Sequence, residues 1–376
     1  MLRAFNQASQ TCLDVSLSPL EINILELNMR WGLLVGLGSI GVRHLNEIFK
    51  FVDRVVVIDT NPKVMDKIEF PEGQIEFFSS AEEFMISEKF SKINYEFLTL
   101  ANWAPNRKKV LHTLKDLNFK RLMIEKPAAS SQADLDWIAK FVDDKSVSAA
   151  VNFHLRFSHL PYLISKLEEK YRLGPIIRIN EQGGAKCFAA NGIHWLDLSI
   201  FLFQELPHSC LAQNNFDKIN PRSPDFYCVD GNTIWYFSRN RTFQISYSND
   251  SSFPGRLYIF YKHALITLSA SEITLEIQKE NMDQDALPIT RTTEPSLRLQ
   301  FKEVYTWDNQ EDGITCLYKK LYNFECDIRD FLDSTRLLLQ SFEFSENASF
   351  RAEPFQPLVP ENLRDYPTYH KDWQVT

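Results

Sequence analysis

The stretch Trp31-Gly32-Leu33-Leu34-Val35-Gly36-Leu37-Gly38-Ser39-Ile40-Gly41-Val42-Arg43-His44 decides the fold. An apolar run enters a glycine-rich turn and continues into residues of helical pattern. Gly36, Gly38 and Gly41 satisfy G-x-G-x-x-G, and four of the chain's 12 glycines fall between positions 32 and 41. With glycine this scarce, chance supplies about 0.01 such matches over a chain of this length. Each glycine has a mechanical reason. Gly36 allows a tight turn, Gly38 lets backbone approach a pyrophosphate, and Gly41 permits close helix–strand packing. Ser39 and Ile40 open the helix, whose unpaired N–H groups and positive dipole end suit phosphates. A second apolar run, Val55-Val56-Val57-Ile58, ends in Asp59, 21 residues beyond Gly38. An acid there can accept both ribose hydroxyls of NAD and repels the 2′-phosphate of NADP, so NAD is the expected cofactor and NADP the disfavoured one.

Working outward, short apolar runs at Trp31–Val35, Arg54–Asp59, Glu96–Ala101, Arg121–Ile124 and Val147–Val151 alternate with helical segments. The helical segments are Ile40–Phe51, Pro62–Ile68, Ala81–Ile86, Asn106–Leu117 and Gln132–Val142. Ser80-Ala81-Glu82-Glu83 is a capping box and Ser131 precedes the last helix. Continuous apolar strands alternating with helices imply a parallel sheet covered on both faces. After Asn152 the pattern changes. A helix at His159–Tyr171, a strand near Ile176–Asn180 and a helix from Gly192 lead into strands of two-residue alternation, ending in a long helix at Ile314–Leu339. The expected fold class is α/β: an N-terminal Rossmann dinucleotide-binding domain (29–151) and a C-terminal α+β domain with a largely antiparallel sheet (152–346). An irregular tail (347–376) follows. Residues 1–28 read either as an appended arm, with Ser18-Pro19-Leu20-Glu21 capping a short helix, or as sequence preceding a true start at Met29.

Composition sets bounds on function. The chain has 376 residues, 44% hydrophobic and 24% charged, with a net charge of −8. That excludes disordered and collagen-like chains, and the negative balance argues against nucleic acid or acidic membrane as partners. No apolar run is long enough to span a bilayer. Six scattered cysteines, Cys12, Cys187, Cys210, Cys228, Cys316 and Cys326, contain no C-x-x-C pair. This spacing reads as reduced thiols in a cytoplasmic protein. Neither the cysteines nor the histidines show metal-ligand spacing, so no metal is expected.

Further motifs narrow the reading. Ala104-Pro105-Asn106 follows one strand and Glu125-Lys126-Pro127 the next. Asn152-Phe153-His154-Leu155-Arg156-Phe157 opens the second half, which also contains Gly192-Ile193-His194-Trp195-Leu196-Asp197. Together with Gly41-Val42-Arg43-His44, these make residues 30–200 resemble the Gfo/Idh/MocA oxidoreductases, the relatives of glucose–fructose oxidoreductase and inositol dehydrogenase. The resemblance implies hydride transfer between NAD(P) and a hydroxyl or carbonyl of a sugar, cyclitol or nucleotide-linked sugar. It places Lys126 near the nicotinamide and the reacting hydroxyl, and gives His194 the proton. It sets the dinucleotide against Gly36, Gly38, Ser39, Ile40, Gly41 and Asp59, and against Ala101, Trp103, Pro105, Asn106, Glu125 and Lys126 at later strand ends. Asn152, His154 and Arg156 are expected to line the substrate cleft, and Asp197 to orient His194 or to contact the substrate; Arg156 also reads as one half of an interdomain ion pair, and Trp103 as a core tryptophan.

Chemistry supports the pair independently. Alcohol oxidation needs a base for the hydroxyl proton and a positive group for the developing alkoxide, roles that suit an imidazole and an ammonium. The chain departs from the family at Ala190, where many members carry an acid four residues before the histidine; Asn191 beside it cannot take a proton. Two alternatives follow: a dinucleotide-binding sensor or scaffold, and an NAD-dependent glycosidase. A homodimer or homotetramer is expected, because apolar strands such as Thr233-Ile234-Trp235-Tyr236-Phe237 leave a sheet face to cover, unless the last helix or the tail covers it. Titration with both dinucleotides checks the reading of Asp59: NAD binds more tightly than NADP, and the reverse order would refute it.

Overall fold

Two sheets carry the chain. The computed structural model describes residues 29–69, 71, 73–215, 228–269, 272–278, 299–306, 313–343 and 349–351. The 1–28 segment, with its expected Ser18–Glu21 cap and Cys12, and the tail beyond 351 lie outside the described residues.

The first sheet is parallel throughout. Its strands are β1 (Trp31–Val35), β2 (Arg54–Ile58), β3 (Ile75–Phe78), β4 (Asn94–Leu100), β5 (Asn118–Phe119), β6 (Arg121–Ile124) and β7 (Ser148–Val151). They run in the order β3-β2-β1-β4-β6-β7, with β5 pairing on β4. All five residues of β1 and all four of β6 are buried, as a strand covered on both faces requires. The order reverses between β1 and β4, which opens the crevice where such sheets bind ligands. Strand β3 has no counterpart in the sequence reading. Its residues Ile75-Glu76-Phe77-Phe78 are half-buried at an edge and contain a charge, so no continuous apolar run marks them.

Helix α1 (Ser39–Ile48) follows β1, and a 3₁₀ turn (Pro62–Lys67) follows β2. Helix α2 (Ala81–Ile86) starts on the predicted cap, with Ser80 Oγ accepting from Glu83 N–H at 3.0 Å. After α3 (Glu88–Ser91) come α4 (Ala104–Thr113) and α5 (Gln132–Lys145), the latter capped by Ser131.

The second half begins with α6 (His154–Phe157) and α7 (His159–Tyr171), then β8 (Arg178–Gly183), a π-turn (Phe188–Gly192) and α8 (Ile193–Phe203). Strands β9 (Ser209–Asn215), β10 (Asp230–Tyr236), β11 (Thr242–Tyr247), β12 (Arg256–Phe260), β13 (Ala264–Ser269), β14 (Glu272–Gln278), β15 (Leu299–Thr306) and β16 (Ser349–Arg351) complete it. The sheet order is β15-β14-β13-β12-β8-β11-β10-β9-β16. Every pair is antiparallel except β11 with β8. The tail is therefore not wholly irregular, since its residues 349–351 pair with β9.

Two expectations need correction. The long C-terminal helix is two, α9 (Gly313–Tyr322) and α10 (Arg329–Glu343). Phe324 takes a left-handed φ of 61°, and Asp327 accepts from Arg329 N–H at 3.0 Å to start the second helix. The last carbonyls of α9, on Leu321 and Tyr322, are taken by the Arg121 guanidinium, which supports the stop. In the aromatic strand, Trp235 and Phe237 point inward, Trp235 stacking on Phe243 at 5.4 Å and Phe237 tilted against Phe203 at 4.5 Å, and only Ile234 and Tyr236 face outward. Helix α10 covers the inner face of this sheet, where Asn214 Nδ2 donates to Ser341 O at 2.6 Å, and so leaves the outer face to other cover.

The carboxyl edge of the first sheet is held by one buried cation. Arg107 on α4 is 3% exposed. Its Nε and Nη2 donate to Asn102 O at 3.1 and 2.8 Å, and its Nη1 to the carbonyls of Glu125 and Pro127. Only a guanidinium presents enough donors in a rigid fork to tie the loop after β4 to the loop after β6. Burial lowers the Arg107 pKa, with the nearby Glu125 charge opposing that, to about 10. It stays charged at neutral pH. Replacing it leaves three carbonyls and a buried carboxylate without their cation. Arg107→Ala is expected to cost about 3–5 kcal/mol in urea unfolding; a loss under 1 kcal/mol would show that the loops hold themselves.

Candidate functional site

The parallel ladder runs one residue past each strand, which fixes where every loop begins. Gly36 N–H donates to Ile58 O, Ala101 N–H to Val35 O, Glu125 N–H to Leu100 O and Asn152 N–H to Ile124 O, each at 2.8 Å. Four loops bearing predicted site residues thus leave one edge in register.

The glycines divide as their spacing implies. Gly36 has φ +91°, and a Cβ there would lie 2.7 Å from Asn102 N. A Cβ on Gly41 would lie 2.2 Å from Gly36 O, so that glycine is required by the protein's own packing. Gly38 is different: a Cβ there meets nothing within 4 Å, and its backbone is extended. The folded chain leaves open space at Gly38. Helix α1 carries no acid in its first turn, so its positive end faces no competing carboxylate from that turn. Asp59 closes the loop from the side, its Oδ2 accepting from Leu37 N–H at 2.6 Å and its Oδ1 from Asn61 N–H at 2.8 Å. Asn102, on the opposite wall, has a buried Oδ1 without a hydrogen-bond partner. Open space at one glycine, a bare helix terminus and an orphaned acceptor fit a dinucleotide phosphate bridge and its polar surroundings. Asn102 was not singled out by sequence; nothing in its local pattern marks it.

Trp103 precedes α4 and is 47% exposed, which excludes the reading of it as a core tryptophan. Ala101 lies against Gly36, Pro105 opens α4, and Asn106 is exposed on its first turn.

Glu125 and Asn152 lie below the cleft floor. Glu125 is 4% exposed; His44 Nε2 lies 2.8 Å from its Oε1, Asn152 Nδ2 donates to the same oxygen, and Lys126 N–H donates to Oε2 at 3.2 Å. Beyond it, His44 Nδ1 meets Tyr318 OH at 2.9 Å, and Tyr318 OH meets Thr99 Oγ1 at 3.1 Å. Burial pushes the Glu125 carboxyl up, but the His44 hydrogen bond and charge, with Lys126 and Asn152, outweigh it and hold it below the usual carboxylate range. Its carboxylate is occupied by protein, and its effect on a ligand passes through Lys126. His44 and Tyr318, 274 residues apart, were not assigned roles from sequence.

Lys126 reaches across the cleft. Its Nζ donates to the carbonyl of Ala190 in the π-turn, and the Lys126–Pro127 bond is cis. Position 190, whose side chain is a methyl group, thus contributes a backbone oxygen. His194, on the first turn of α8, is 7% exposed, with His154 edge-on at a ring separation of 4.3 Å and Phe153 at 6.2 Å. Burial first, then the charges of His154 and Lys126, push its pKa well below that of a free imidazole, so His194 is neutral at ordinary pH. Its Nδ1 is buried without a partner among the described residues.

Arg156 takes the ion-pair reading, and its partner is Asp197. Asp197 does not orient His194. Its Oδ1 accepts from Ser334 Oγ at 2.9 Å and its Oδ2 lies 3.3 Å from Arg156 Nε. The Arg156 guanidinium lies against the stacked rings of Phe157 and Phe331 and donates to Asp330 O at 3.1 Å. The (i, i+3) spacing put Asp197 on a shared helix face with His194, but the approach of α6 and α10 claims its carboxylate. No group of three or more metal-ligating side chains occurs among the described residues.

No protein-family profile matches the chain, and no curated protein sequence does. Solved structures do. An NAD-binding protein from Listeria innocua superposes with a TM-score of 0.63 at 16% identity, over 86% of this chain and 99% of that one. The WlbA dehydrogenase of Bordetella pertussis, in complex with NADH and UDP-GlcNAcA, gives 0.56 at 18%, over 82% and 94%. A super-repressor mutant of Gal80p from Saccharomyces cerevisiae gives 0.60 at 15%, over 84% and 95%. The chain has the two-domain fold of the Gfo/Idh/MocA oxidoreductases. That fold is thus shared with a dehydrogenase solved with NADH and with a super-repressor mutant of Gal80p.

The two glycines separate folding from binding. Gly38→Val is expected to keep the wild-type unfolding midpoint and to lose dinucleotide binding measured by calorimetry. Gly41→Val lowers the midpoint itself. A Gly38 variant that binds as wild type would place the phosphates elsewhere.

Proposed function

We propose that the protein binds NAD and moves hydride between it and a hydroxyl or carbonyl carbon of a sugar-like substrate. The observation that carries this reading is the convergence of the Lys126 ammonium and a neutral His194 on one cleft, at the carboxyl edge beside the open glycine loop. NAD would lie along Gly36–Gly41 with its ribose toward Asp59 and its reactive end toward Trp103 and Lys126. When bound, it supplies the hydride acceptor. The chain's own groups do the rest. His194, kept unprotonated by burial and its neighbours, takes the hydroxyl proton. Lys126, held in place by Ala190 O and by Glu125 beneath its backbone, offers positive charge to the developing alkoxide. With no acid at position 190, proton handling falls on these two groups. Similarity to the WlbA dehydrogenase, which holds NADH and UDP-GlcNAcA, supports a nucleotide-linked sugar among the candidates.

A second reading has its own support. Ala190 removes a proton-transfer group, and one structural neighbour is the repressor Gal80p. On that reading the protein binds a dinucleotide and senses or scaffolds without turnover. We also propose self-association through the outer sheet face that bears Ile234 and Tyr236.

A screen of polyols and nucleotide sugars for nicotinamide reduction separates the two functional readings; bound NAD that no substrate reduces favours the sensor. With a substrate in hand, Lys126→Ala and His194→Ala each lower kcat by about 10²–10⁴-fold with NAD affinity nearly unchanged. Wild-type turnover in both variants would refute the assignment. Light scattering at micromolar concentration gives a dimer or tetramer; a single 43.8 kDa species would reject self-association.

A further inference from the structure

Away from the lysine–histidine pair, two buried thiols meet at the start of the π-turn. Cys187 stands just before it with a left-handed φ of 58° and is 3% exposed; Cys228, 7% exposed, lies two residues before β10. Phe188 N–H donates to Val229 O at 2.9 Å, so residues 187–188 run alongside 228–229. In this pairing the Cys187 sulfur faces the Cys228 thiol and the backbone N–H groups of Ala189, Ala190 and Val229. Cys228 is held by Asn249: its Sγ donates to Asn249 Oδ1 at 3.3 Å, and Asn249 Nδ2 donates to the Cys228 carbonyl at 2.5 Å.

We propose that Cys187 and Cys228 form a redox site, a thiol pair that hydrogen peroxide converts reversibly into a disulfide. Donors grouped around one sulfur favour its thiolate, the nucleophilic form. The Cys228 thiol and the three N–H groups draw Cys187 below the ordinary thiol range against the opposing effect of burial, while the same contact and burial push Cys228 up. One sulfur is thus the attacker and the other the resolving thiol. The Cys187 thiolate attacks one peroxide oxygen, the O–O bond breaks, and hydroxide leaves; Cys187 is now a sulfenic acid. Cys228, deprotonated by that hydroxide, attacks the Cys187 sulfur and expels a second hydroxide, which takes a proton from solvent. Two thiols lose two electrons and two hydrogens, and peroxide becomes two waters. Burial limits the oxidant to a molecule near the size of water, which is why a peroxide is named. Desolvation pushes Cys210 up to about 12 and Cys326 to about 11, so neither competes as a thiolate. The cross-link withdraws the Cys187 sulfur from Ala189 and Ala190 N–H. Ala190 is the residue whose carbonyl receives Lys126, so the thiol state and the cleft share one turn.

This site does not depend on the hydride-transfer reading, and its test needs no substrate. The full-length chain is exposed to hydrogen peroxide, unfolded in N-ethylmaleimide, and digested with chymotrypsin, which separates Cys187 from Cys210. Mass spectrometry is expected to find the Cys187 and Cys228 peptides joined and lighter by two hydrogens, with Cys210 and Cys326 carrying maleimide. Dithiothreitol before the alkylation step restores maleimide labelling of both. In Cys228→Ala, Cys187 is expected to accumulate as a sulfenic acid that dimedone traps. Cys187 and Cys228 labelled by maleimide as fully as Cys210 after peroxide, or Cys187 joined to another cysteine, would overturn the proposal.

Discussion

A guanidinium and a carboxylate buried beneath the carboxyl edge of the parallel sheet set the geometry of everything above them. Arg107 takes the main-chain carbonyls of Asn102, Glu125 and Pro127, and Glu125 takes His44, Asn152 and the backbone of Lys126. Neither charge is tolerable alone at that depth, since removing an ion from water costs several kcal/mol. Together, and with nearly every donor and acceptor used, they turn two loops into a rigid shelf. The glycine loop lies on one side of that shelf and the lysine on the other. Groups brought together from a strand end and a separate helix, as Lys126 and His194 are, need such support to keep a fixed geometry.

The second half reaches this shelf from two directions. Tyr318 on α9 closes the chain of hydrogen bonds through His44 to Glu125, so a helix late in the sequence reaches under the first sheet. Ala190 and His194 arrive from the other side on the π-turn and α8. A π-turn widens the helix by one residue locally, and such turns often mark functional sites. Here it points a carbonyl at Lys126 immediately before the histidine. Ala190 and Lys126 therefore meet, which keeps Lys126 positioned without a carboxylate partner at 190.

Charge and burial then divide the ionisable groups into two kinds. Glu125 and Asp197 are both at most 4% exposed, yet their surroundings act oppositely. Glu125 is held ionised by His44, Lys126 and Asn152, whereas burial outweighs Arg156 and Ser334 at Asp197 and pushes it up to about 6. His194 is kept neutral by burial and by the positive groups near it. An ionised support under the lysine, with a neutral imidazole across from it, is the polarity that proton abstraction from an alcohol requires.

Sequence alone determined the features that depend on local stereochemistry. The glycine spacing, the strand before it and Asp59 after it are legible because a tight turn, a close packing contact and a ribose acceptor each demand a particular residue at a particular offset. Continuous apolar strands marked the parallel sheet, and two-residue alternation marked the other, because the pleat dictates which side chains are covered. Lys126 and His194 came from motif resemblance. What tertiary structure alone decided is which polar groups remain available. Asp197 looked paired with His194 by helical spacing, but Arg156 and Ser334 claim it from other elements. Arg107 carries no mark in the sequence, and becomes the clamp only when two loops converge on it. Asn102, Tyr318 and the Cys187–Cys228 contact are meetings of segments far apart in the chain. No local pattern encodes them, because a side chain's role is fixed by what is packed against it.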